Sequence, residues 1–236
     1  MALEADYLAT GHYARIERRK GSYRLLRSVD RCKDQSYVLY TLGASDLERL
    51  LMPVGGLYKE EVRRIALEKG LSNWDRRESQ DICFIPDGDY RRFVAGRIEP
   101  RPGHVCDSSG RLLGVHQGIA FYTIGQRQRL EISSGERLYV IGIDADENRL
   151  ILGSRHELEK DALFVGEVSY VLGEAPEGPL QVTAMVRYRS AEIGAMLWPL
   201  GRRARLHFER PLGPVTPGQA AVFYQGDVLL GDGIIE

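Results

Sequence analysis

Turn-forming residues recur at short intervals beyond Pro100, and this spacing limits the possible folds more than any other feature of the sequence. They separate short runs rich in β-branched, aromatic and aliphatic residues at 138–143, 149–152, 180–188, 204–208 and 220–224. Short strands joined by tight turns pair as antiparallel hairpins, and a sheet made of hairpins removes its unpaired edges by closing on itself. The sequence therefore predicts a small antiparallel β-barrel in the C-terminal part of the chain.

The part of the chain before Pro100 instead has the pattern of an α/β domain. Residues 6–10 predict a short buried strand that runs directly into a glycine and a histidine. A capping box that begins at Ser45 predicts a helix through Leu51, and a further helix is predicted at 59–69. A buried strand needs neighbouring strands, yet only five residues precede this one. We therefore expect an α/β domain that lacks its earlier β-α units.

Changes in the pattern of predicted helices, strands and turns along the sequence indicate domain boundaries near residues 95 and 160. We expect an α/β domain over 1–95, a small central domain over 96–160 and the β-barrel over 161–236. Two short helices are also expected, at 33–42 and 89–97.

Composition excludes several classes of protein. The 236 residues carry 32 basic and 33 acidic side chains, so any nucleic-acid binding has to use a local basic patch. No apolar run approaches the roughly 20 residues of a membrane span, and no secretion signal opens the chain, so we expect a cytoplasmic protein. Cys32, Cys83 and Cys106 form no CxxC pair, which argues against a zinc knuckle and a disulfide framework, and no bound metal is predicted.

Two short polar segments are candidates for ligand contacts. Gly11 and His12 follow the first predicted strand, at the carboxyl end where open α/β sheets bind ligands. Lys33, Asp34 and Gln35 combine a cation for phosphate with hydrogen-bonding groups for a base or a sugar. On these residues alone, a turn glycine with a surface histidine and a solvated helix start explain the two segments at least as well.

Cys83 lies in the apolar sequence SQDICFI, where a buried and inert cysteine is the ordinary expectation. A cysteine that carries sulfur would need surroundings that stabilise its thiolate, such as a helix N-terminus or a nearby cation. The residues alone leave both interpretations open.

A basic stretch lies at 185–211, where six arginines accompany only two glutamates. Within it, Arg187, Tyr188 and Arg189 alternate guanidinium and aromatic groups, a combination that suits stacking on unpaired bases and neutralisation of phosphates. The alternative is a solvated strand face with a tyrosine packed sideways.

Eight separated motifs fall in the order found in one enzyme family. They are ATGHY, KDQSYVLY, a Pro-Val-Gly before the helix that contains VRRIA, SQDICFI, HQGIAFYTIGQR, VRYR, VTPGQAAVFY and the ending GDGIIE. Together they cover essentially the whole chain, which resembles the C-terminal two thirds of the tRNA-specific 2-thiouridylases.

The resemblance implies a fold of α/β plus β class. It comprises the C-terminal remnant of a PP-loop (adenine nucleotide alpha hydrolase-like) α/β domain, a small central domain and a C-terminal antiparallel β-barrel that contacts tRNA. The implied enzyme uses ATP with Mg²⁺ to adenylate the wobble uridine in the anticodon loop, and a persulfide then supplies the sulfur. A sulfur-relay protein or a cysteine desulfurase is the implied donor.

Carried over residue by residue, the resemblance assigns Cys83 to the cysteine that bears the persulfide and Gly11 to an ATP contact. It assigns the following residues to tRNA contacts: His12, Lys33, Asp34, Gln35, Arg187, Tyr188 and Gln219. Cys32 and Cys106 match no catalytic position and are expected to be structural.

The chain departs from the family pattern because it lacks the SGGxDSS-type PP-loop, the target-base segment and the second catalytic cysteine. We therefore expect that it does not thiolate tRNA by itself. A catalytically inactive tRNA-binding module is the alternative. A tRNA methyltransferase is disfavoured, because no glycine-rich nucleotide fingerprint opens a β-α-β unit.

Overall fold

A computed structural model describes residues 5–75, 85, 89–130, 132 and 135–236. The chain divides into two compact units. The first contains residues 1–76, 161–211 and 217–236, and the second contains residues 77–160 and 212–216. Cys83 lies outside the described residues.

The secondary-structure elements of the described residues are numbered in chain order. The strands are β1 Leu8–Ala9, β2 Ala14–Arg19, β3 Ser22–Arg27, β4 Leu50–Leu51, β5 Gly103–Asp107, β6 Leu112–His116, β7 Tyr139–Asp144, β8 Arg149–Gly153, β9 Lys160–Tyr170, β10 Leu180–Met185, β11 Ile193–Leu200, β12 Arg203–Leu212, β13 Ala220–Gln225 and β14 Val228–Ile235. The α-helices are α1 Ala44–Leu47, α2 Lys59–Glu68 and α3 Tyr90–Ala95. Short 3₁₀ helices span Ser36–Leu39, Ile119–Phe121 and Arg155–Leu158.

Six strands of the first unit form a closed antiparallel barrel. The strand order is β13-β10-β11-β12-β9-β14, and pairing between β13 and β14 closes the ring. Along β12, Ala204, Leu206 and Phe208 are buried while the residues between them are exposed, which is the alternation of a strand with one face toward a core. The predicted C-terminal barrel is confirmed.

The hairpin of β2 and β3 joins this barrel rather than a separate α/β layer. Its turn uses Lys20 and Gly21 at φ values of 50° and 84°, the positive pair that a type I′ hairpin turn requires. Leu26 of β3 pairs with Val228 of β14, so the hairpin extends the sheet of the barrel. Leu25 and the barrel residue Tyr224 consequently belong to one hydrophobic core.

The α/β portion of the first unit is small. β1 and β4 form a parallel pair, in which Leu8 lies opposite Leu50. The prediction of a helix from Ser45 through Leu51 is wrong: α1 begins one residue earlier and ends at Leu47. Its cap is the hydrogen bond from the Gly43 N–H to Asp46 Oδ2 (3.0 Å), and the chain leaves the helix because Leu50 and Leu51 pair with β1.

Two other helix predictions meet different outcomes. Helix α2 confirms the prediction at 59–69, and Gly70 ends it at φ 68°, a left-handed conformation that glycine adopts without steric cost. The helix predicted at 33–42 is only a 3₁₀ turn over Ser36–Leu39. None of the helices in the described part of the chain is long and apolar enough to cross a membrane.

The second unit contains a four-stranded sheet in the order β6-β5-β8-β7, with only β5 and β8 parallel. Its polar centre is His116, which is 1% exposed. Nε2 lies 3.0 Å from the Asn148 carbonyl, and Nδ1 accepts the Gly118 N–H at 3.0 Å, so both ring nitrogens of this histidine are engaged in holding the fold. Cys106 is buried in β5, consistent with a structural role.

Asp232 on β14 predicts a pH-dependent stability for the first unit. Burial raises the pKa of its carboxyl from 3.8 to about 7. The proton is therefore held more tightly in the folded chain, so this carboxyl contributes stability that is fully present below pH 4 and is lost as the pH rises to about 7, at about 1.4 kcal/mol per pKa unit of difference. We expect Asp232→Asn to flatten this fall when unfolding by urea is measured at pH 5 and pH 8.

The exposed Asp161 provides a matched control for this experiment. Asp161→Asn should keep the pH dependence of the wild-type chain. An equal loss of stability between pH 5 and pH 8 in wild type and Asp232→Asn would contradict the assignment.

Candidate nucleic-acid interface

A cavity of about 700 Å³ in the first unit brings two of the predicted RNA-contacting segments together. They are the KDQ segment, which is Lys33–Gln35, and the RYR segment, which is Arg187–Arg189. Asp34 and Tyr188 both lie in the wall of the cavity. The other lining residues are Arg27, Arg31, Cys32, Met185, Arg189, Ser190, Ala191 and Glu192. The volume lies within the usual range of ligand-binding pockets.

Arg27, at the end of β3, is the buried centre of this wall. Its guanidinium lies 3.4 Å above the ring of Tyr224, and the side chain is only 4% exposed. Nη1 donates to Glu192 Oε1 at 2.8 Å, lies 3.8 Å from Asp34 Oδ2 and also contacts Met185 Sδ at 3.6 Å. One cation therefore links the KDQ loop, strand β3, strand β13 and the turn after β10.

Asp34 faces inward and organises its own loop. Oδ1 accepts the N–H of Ser28 at 2.8 Å, and Oδ2 accepts the hydroxyl of Ser36 at 2.7 Å. The Ser36 hydroxyl also lies 3.1 Å from the Tyr224 hydroxyl, whose pKa is raised by burial. Both carboxylate oxygens are thus engaged within the protein, and the base or sugar contact expected for this residue stays a prediction.

Gln35 ties the KDQ loop to the ATGHY segment. Its Oε1 accepts the N–H of Tyr13 at 2.9 Å, and its own N–H donates to the Tyr13 carbonyl at 2.8 Å. These two bonds set the position of the loop against the start of β2. Lys33, the first residue of the KDQ segment, is half-buried.

Tyr188 lies in a turn and not in a strand. The strand predicted at 180–188 ends at Met185, and Arg189 in the turn has a positive φ of 61°. The Tyr188 ring is 38% exposed and packs 6.0 Å from the ring of Tyr37. Tyr37 is fixed in turn by a hydrogen bond to the Ala220 carbonyl at 2.8 Å, and burial raises its pKa to about 12. The cavity therefore presents a supported aromatic ring at its rim, with Arg187 and Arg189 exposed on either side of it in sequence.

The remaining predicted contacts lie outside the lining of the cavity. Gly11 is exposed, and His12 Nδ1 is bonded to Thr10 Oγ1 at 2.8 Å. Gln219 is exposed just before β13, where its carbonyl accepts the Ile235 N–H. The assignment of these residues to ATP and tRNA contacts stays a prediction, and Cys83 is outside the described residues.

Sequence reasoning missed Arg27, Glu192 and Tyr224. A signal for Arg27 was present: it lies two residues after Leu25 in a strand, so both side chains point to the same face. Leu25 is fully buried and Arg27 is 3% exposed. A charged residue in register with a core leucine predicts a buried cation with partners.

Family models cover nearly all of the chain. The tRNA methyl transferase HUP domain matches residues 1–87, the tRNA methyl transferase PRC-barrel domain matches 91–154, and the aminomethyltransferase β-barrel domain matches 160–235. The fold and these matches define a chain of HUP-domain, PRC-barrel and β-barrel parts, as found in tRNA-modifying enzymes. The predicted fold class is confirmed.

Curated relatives narrow this class to one family. The tRNA-specific 2-thiouridylase MnmA of Moorella thermoacetica is 46% identical across 100% of this chain and 67% of its own length. The MnmA proteins of Natranaerobius thermophilus and Synechococcus sp. (strain ATCC 27144) are 45% and 48% identical over 100% and 99% of the chain, covering 65% and 67% of their lengths. The chain belongs to the tRNA-specific 2-thiouridylase family and spans about two thirds of the length of these relatives.

The inward position of Asp34 predicts that this residue stabilises the fold. Asp34→Ala leaves the Ser28 N–H and the buried Ser36 hydroxyl without their acceptor, which should lower the free energy of unfolding by about 1–3 kcal/mol. Urea unfolding measures the difference. Cys32→Ser, an exposed position in the same loop, should leave stability unchanged, whereas wild-type stability in Asp34→Ala would show that these bonds contribute little.

Proposed function

We propose that the chain takes part in the thiolation of the wobble uridine of tRNA, with the cavity around Arg27 and Tyr188 as part of its RNA-binding surface. The observation that carries the proposal is the meeting of the KDQ and RYR segments in one cavity, in a chain of the 2-thiouridylase family. Proteins that bind unpaired RNA combine an aromatic ring for stacking with cations for phosphate. Tyr188 and Arg189 provide that combination here.

The charges of the cavity favour a ligand rich in hydrogen-bond acceptors. Asp34 and Glu192, the carboxylates in its lining, already bind groups of the protein. Arg189 has no carboxylate within 4 Å among the described residues, so its guanidinium is available to an anion. Phosphates and base carbonyls are acceptors of the required kind.

ATP would supply the adenylate that turns the uridine oxygen at carbon 2 into a leaving group. In the part of the chain described, the residue proposed for this nucleotide is Gly11, which follows β1. It is exposed, and a Cβ built on it would meet no atom within 4 Å, so a nucleotide can approach the backbone here. No group of three or more potential metal ligands occurs among the described residues, and Mg²⁺ would enter with the nucleotide.

Cys83 is the proposed sulfur carrier. Its thiolate accepts a sulfane sulfur from a desulfurase or relay protein and becomes a persulfide. The terminal sulfur then attacks carbon 2 of the adenylated uridine, and AMP leaves with the former carbonyl oxygen. A second thiolate, from a cysteine other than the three in this sequence, would release the thiolated base by attacking the Cys83 sulfur, which forms a disulfide and balances the electrons. We propose that this reaction takes place in the cytoplasm, with tRNA as the substrate.

The first functional prediction concerns RNA binding. The chain should bind tRNA with an affinity that falls as salt rises, because each neutralised phosphate adds about 0.7 to 0.9 to the log–log slope. Tyr188→Ala should weaken binding while leaving this slope nearly unchanged, since base stacking releases no counterions. Filter binding or fluorescence anisotropy from low to physiological salt measures both quantities.

Tyr58, an exposed tyrosine at the start of α2, provides a matched control. Tyr58→Ala should retain wild-type affinity. An affinity for tRNA that does not change with salt would show that the turn containing Arg187 and Arg189 is not a binding surface.

The second functional prediction concerns sulfur transfer. Incubation with a cysteine desulfurase and cysteine should add one sulfur mass to the peptide that contains Cys83. Cys83→Ser should abolish the adduct, whereas Cys32→Ser and Cys106→Ser should keep it, because Cys106 is buried and Cys32 matches no catalytic position. A chain that unfolds cooperatively, binds tRNA and takes sulfur at no cysteine would instead be a tRNA-binding module.

A further inference from the structure

We propose that Arg27 is a phosphate-binding residue of the cavity and that Glu192 occupies the phosphate position in the RNA-free chain. An RNA phosphate would then displace the Glu192 carboxylate from the Arg27 guanidinium on binding. This inference rests on the proposed function, because it identifies how the same cavity receives its ligand.

The first observation is that Arg27 is incompletely satisfied. Only Nη1 has a hydrogen-bond acceptor, whereas Nε and Nη2 are buried and bond to no acceptor in the described part of the chain. Buried donors nearly always have partners, and an orphaned donor on a guanidinium is costly. The Tyr224 ring, 3.4 Å away, covers one face of the guanidinium, so a new acceptor has to approach along its edge.

The second observation is the position of Glu192. This residue follows the turn that contains Tyr188, and its side chain is 40% exposed although it binds a cation that is 4% exposed. One carboxylate oxygen reaches Arg27, and the other accepts the hydroxyl of Thr183 at 3.0 Å. Glu192 therefore gives Arg27 a single acceptor from the solvent side of the cavity and can leave without disturbing a buried core.

Phosphate fits this position better than the carboxylate does. It carries several acceptor oxygens, and arginine binds phosphate through two parallel N–H bonds where a second donor is free. Nη2 lies beside Nη1 on the same guanidinium and has no acceptor among the described residues. Asp34 stays in place during the exchange, because Ser28 and Ser36 hold both of its oxygens.

Ser190 gives independent support for a ligand at this point. It lines the same cavity, and its hydroxyl is buried with no partner in the described residues. Two residues that line one cavity thus hold three buried donor groups with unused capacity: Arg27 Nε, Arg27 Nη2 and Ser190 Oγ. The donors match an anion with several oxygens rather than a cation or an apolar group.

The test compares tRNA affinity in variants of Glu192 and Arg27, because substitution of Glu192 should raise the affinity and substitution of Arg27 should lower it. Glu192→Gln removes a competing anion while keeping the size of the side chain, so affinity for an unmodified tRNA transcript should rise roughly tenfold, the equivalent of one charge-assisted hydrogen bond. Glu209→Gln removes the same charge from an exposed glutamate on β12 that does not line the cavity. This control should change affinity little.

Arg27→Gln should weaken tRNA binding and reduce the salt slope by about one phosphate contact, 0.7 to 0.9. In the double variant, the gain from Glu192→Gln should disappear, because no arginine remains to receive the phosphate. A cooperative urea transition verifies that each variant is folded. If Arg27→Gln does not fold, the comparison of Glu192→Gln with Glu209→Gln tests the proposal by itself.

Four outcomes overturn the proposal. They are weaker or unchanged tRNA binding by Glu192→Gln, an equal gain in Glu209→Gln, persistence of the gain without Arg27, and a gain in thermal stabilisation by inorganic phosphate with no gain for tRNA. The last result would identify a site for free phosphate. Wild-type chain that binds no tRNA overturns the proposed function itself, whereas wild-type binding with a failed Glu192→Gln prediction overturns only this inference.

Discussion

The cation of Arg27 is the interaction on which the architecture of the cavity depends. A buried guanidinium is tolerated only when charges and hydrogen bonds replace the water it has lost, and removing one partner of such a group typically costs about 3–5 kcal/mol. Here the replacements come from four separate segments: the KDQ loop, strand β10, the turn before β11 and strand β13. In the RNA-free chain the cation therefore connects four segments that are far apart in sequence, and this connection helps to specify the arrangement of the site.

The barrel makes this concentration of contacts possible. Pairing between β13 and β14 closes the ring, and the β2–β3 hairpin is attached to β14 at the same place. The hairpin therefore brings Arg27 from the start of the chain to the ring of Tyr224 near its end. A second ion pair reinforces the attachment: Arg15 on β2 binds Asp227, in the turn between β13 and β14, at 2.6 Å. The loop that contains Asp34 and the turn that contains Tyr188 are consequently held beside a closed sheet.

The sequence predicted the barrel and the family because both depend on local patterns. Recurrent turn residues and short β-type runs are local, and so is the agreement of eight motifs with one family. The membership of β2 and β3 in the barrel was not predictable in the same way, since it depends on the pairing of Leu26 with Val228. Similarly, the helix expected from Ser45 to Leu51 yielded to the parallel pairing of β1 with β4, a tertiary interaction that overrides a local capping signal. Prediction of the site has the same limit. Motif matching selected Asp34 as a site residue, but its inward orientation depends on Ser36 and on two residues outside the motif, Ser28 and the buried Arg27.

The link between Arg15 and Asp227 has a consequence for the order of events during synthesis. Partners separated by more than 200 residues cannot meet until the later one, Asp227, has left the ribosome, and closing so long a loop is a slow step in folding. Strand β14, which holds the hairpin, follows Asp227 directly and is the last of the strands in the described residues. The cavity with its stacked arginine is therefore absent from incomplete nascent chains. A nascent chain in which translation has not yet reached Asp227 lacks this contact and the β13–β14 pairing that closes the barrel.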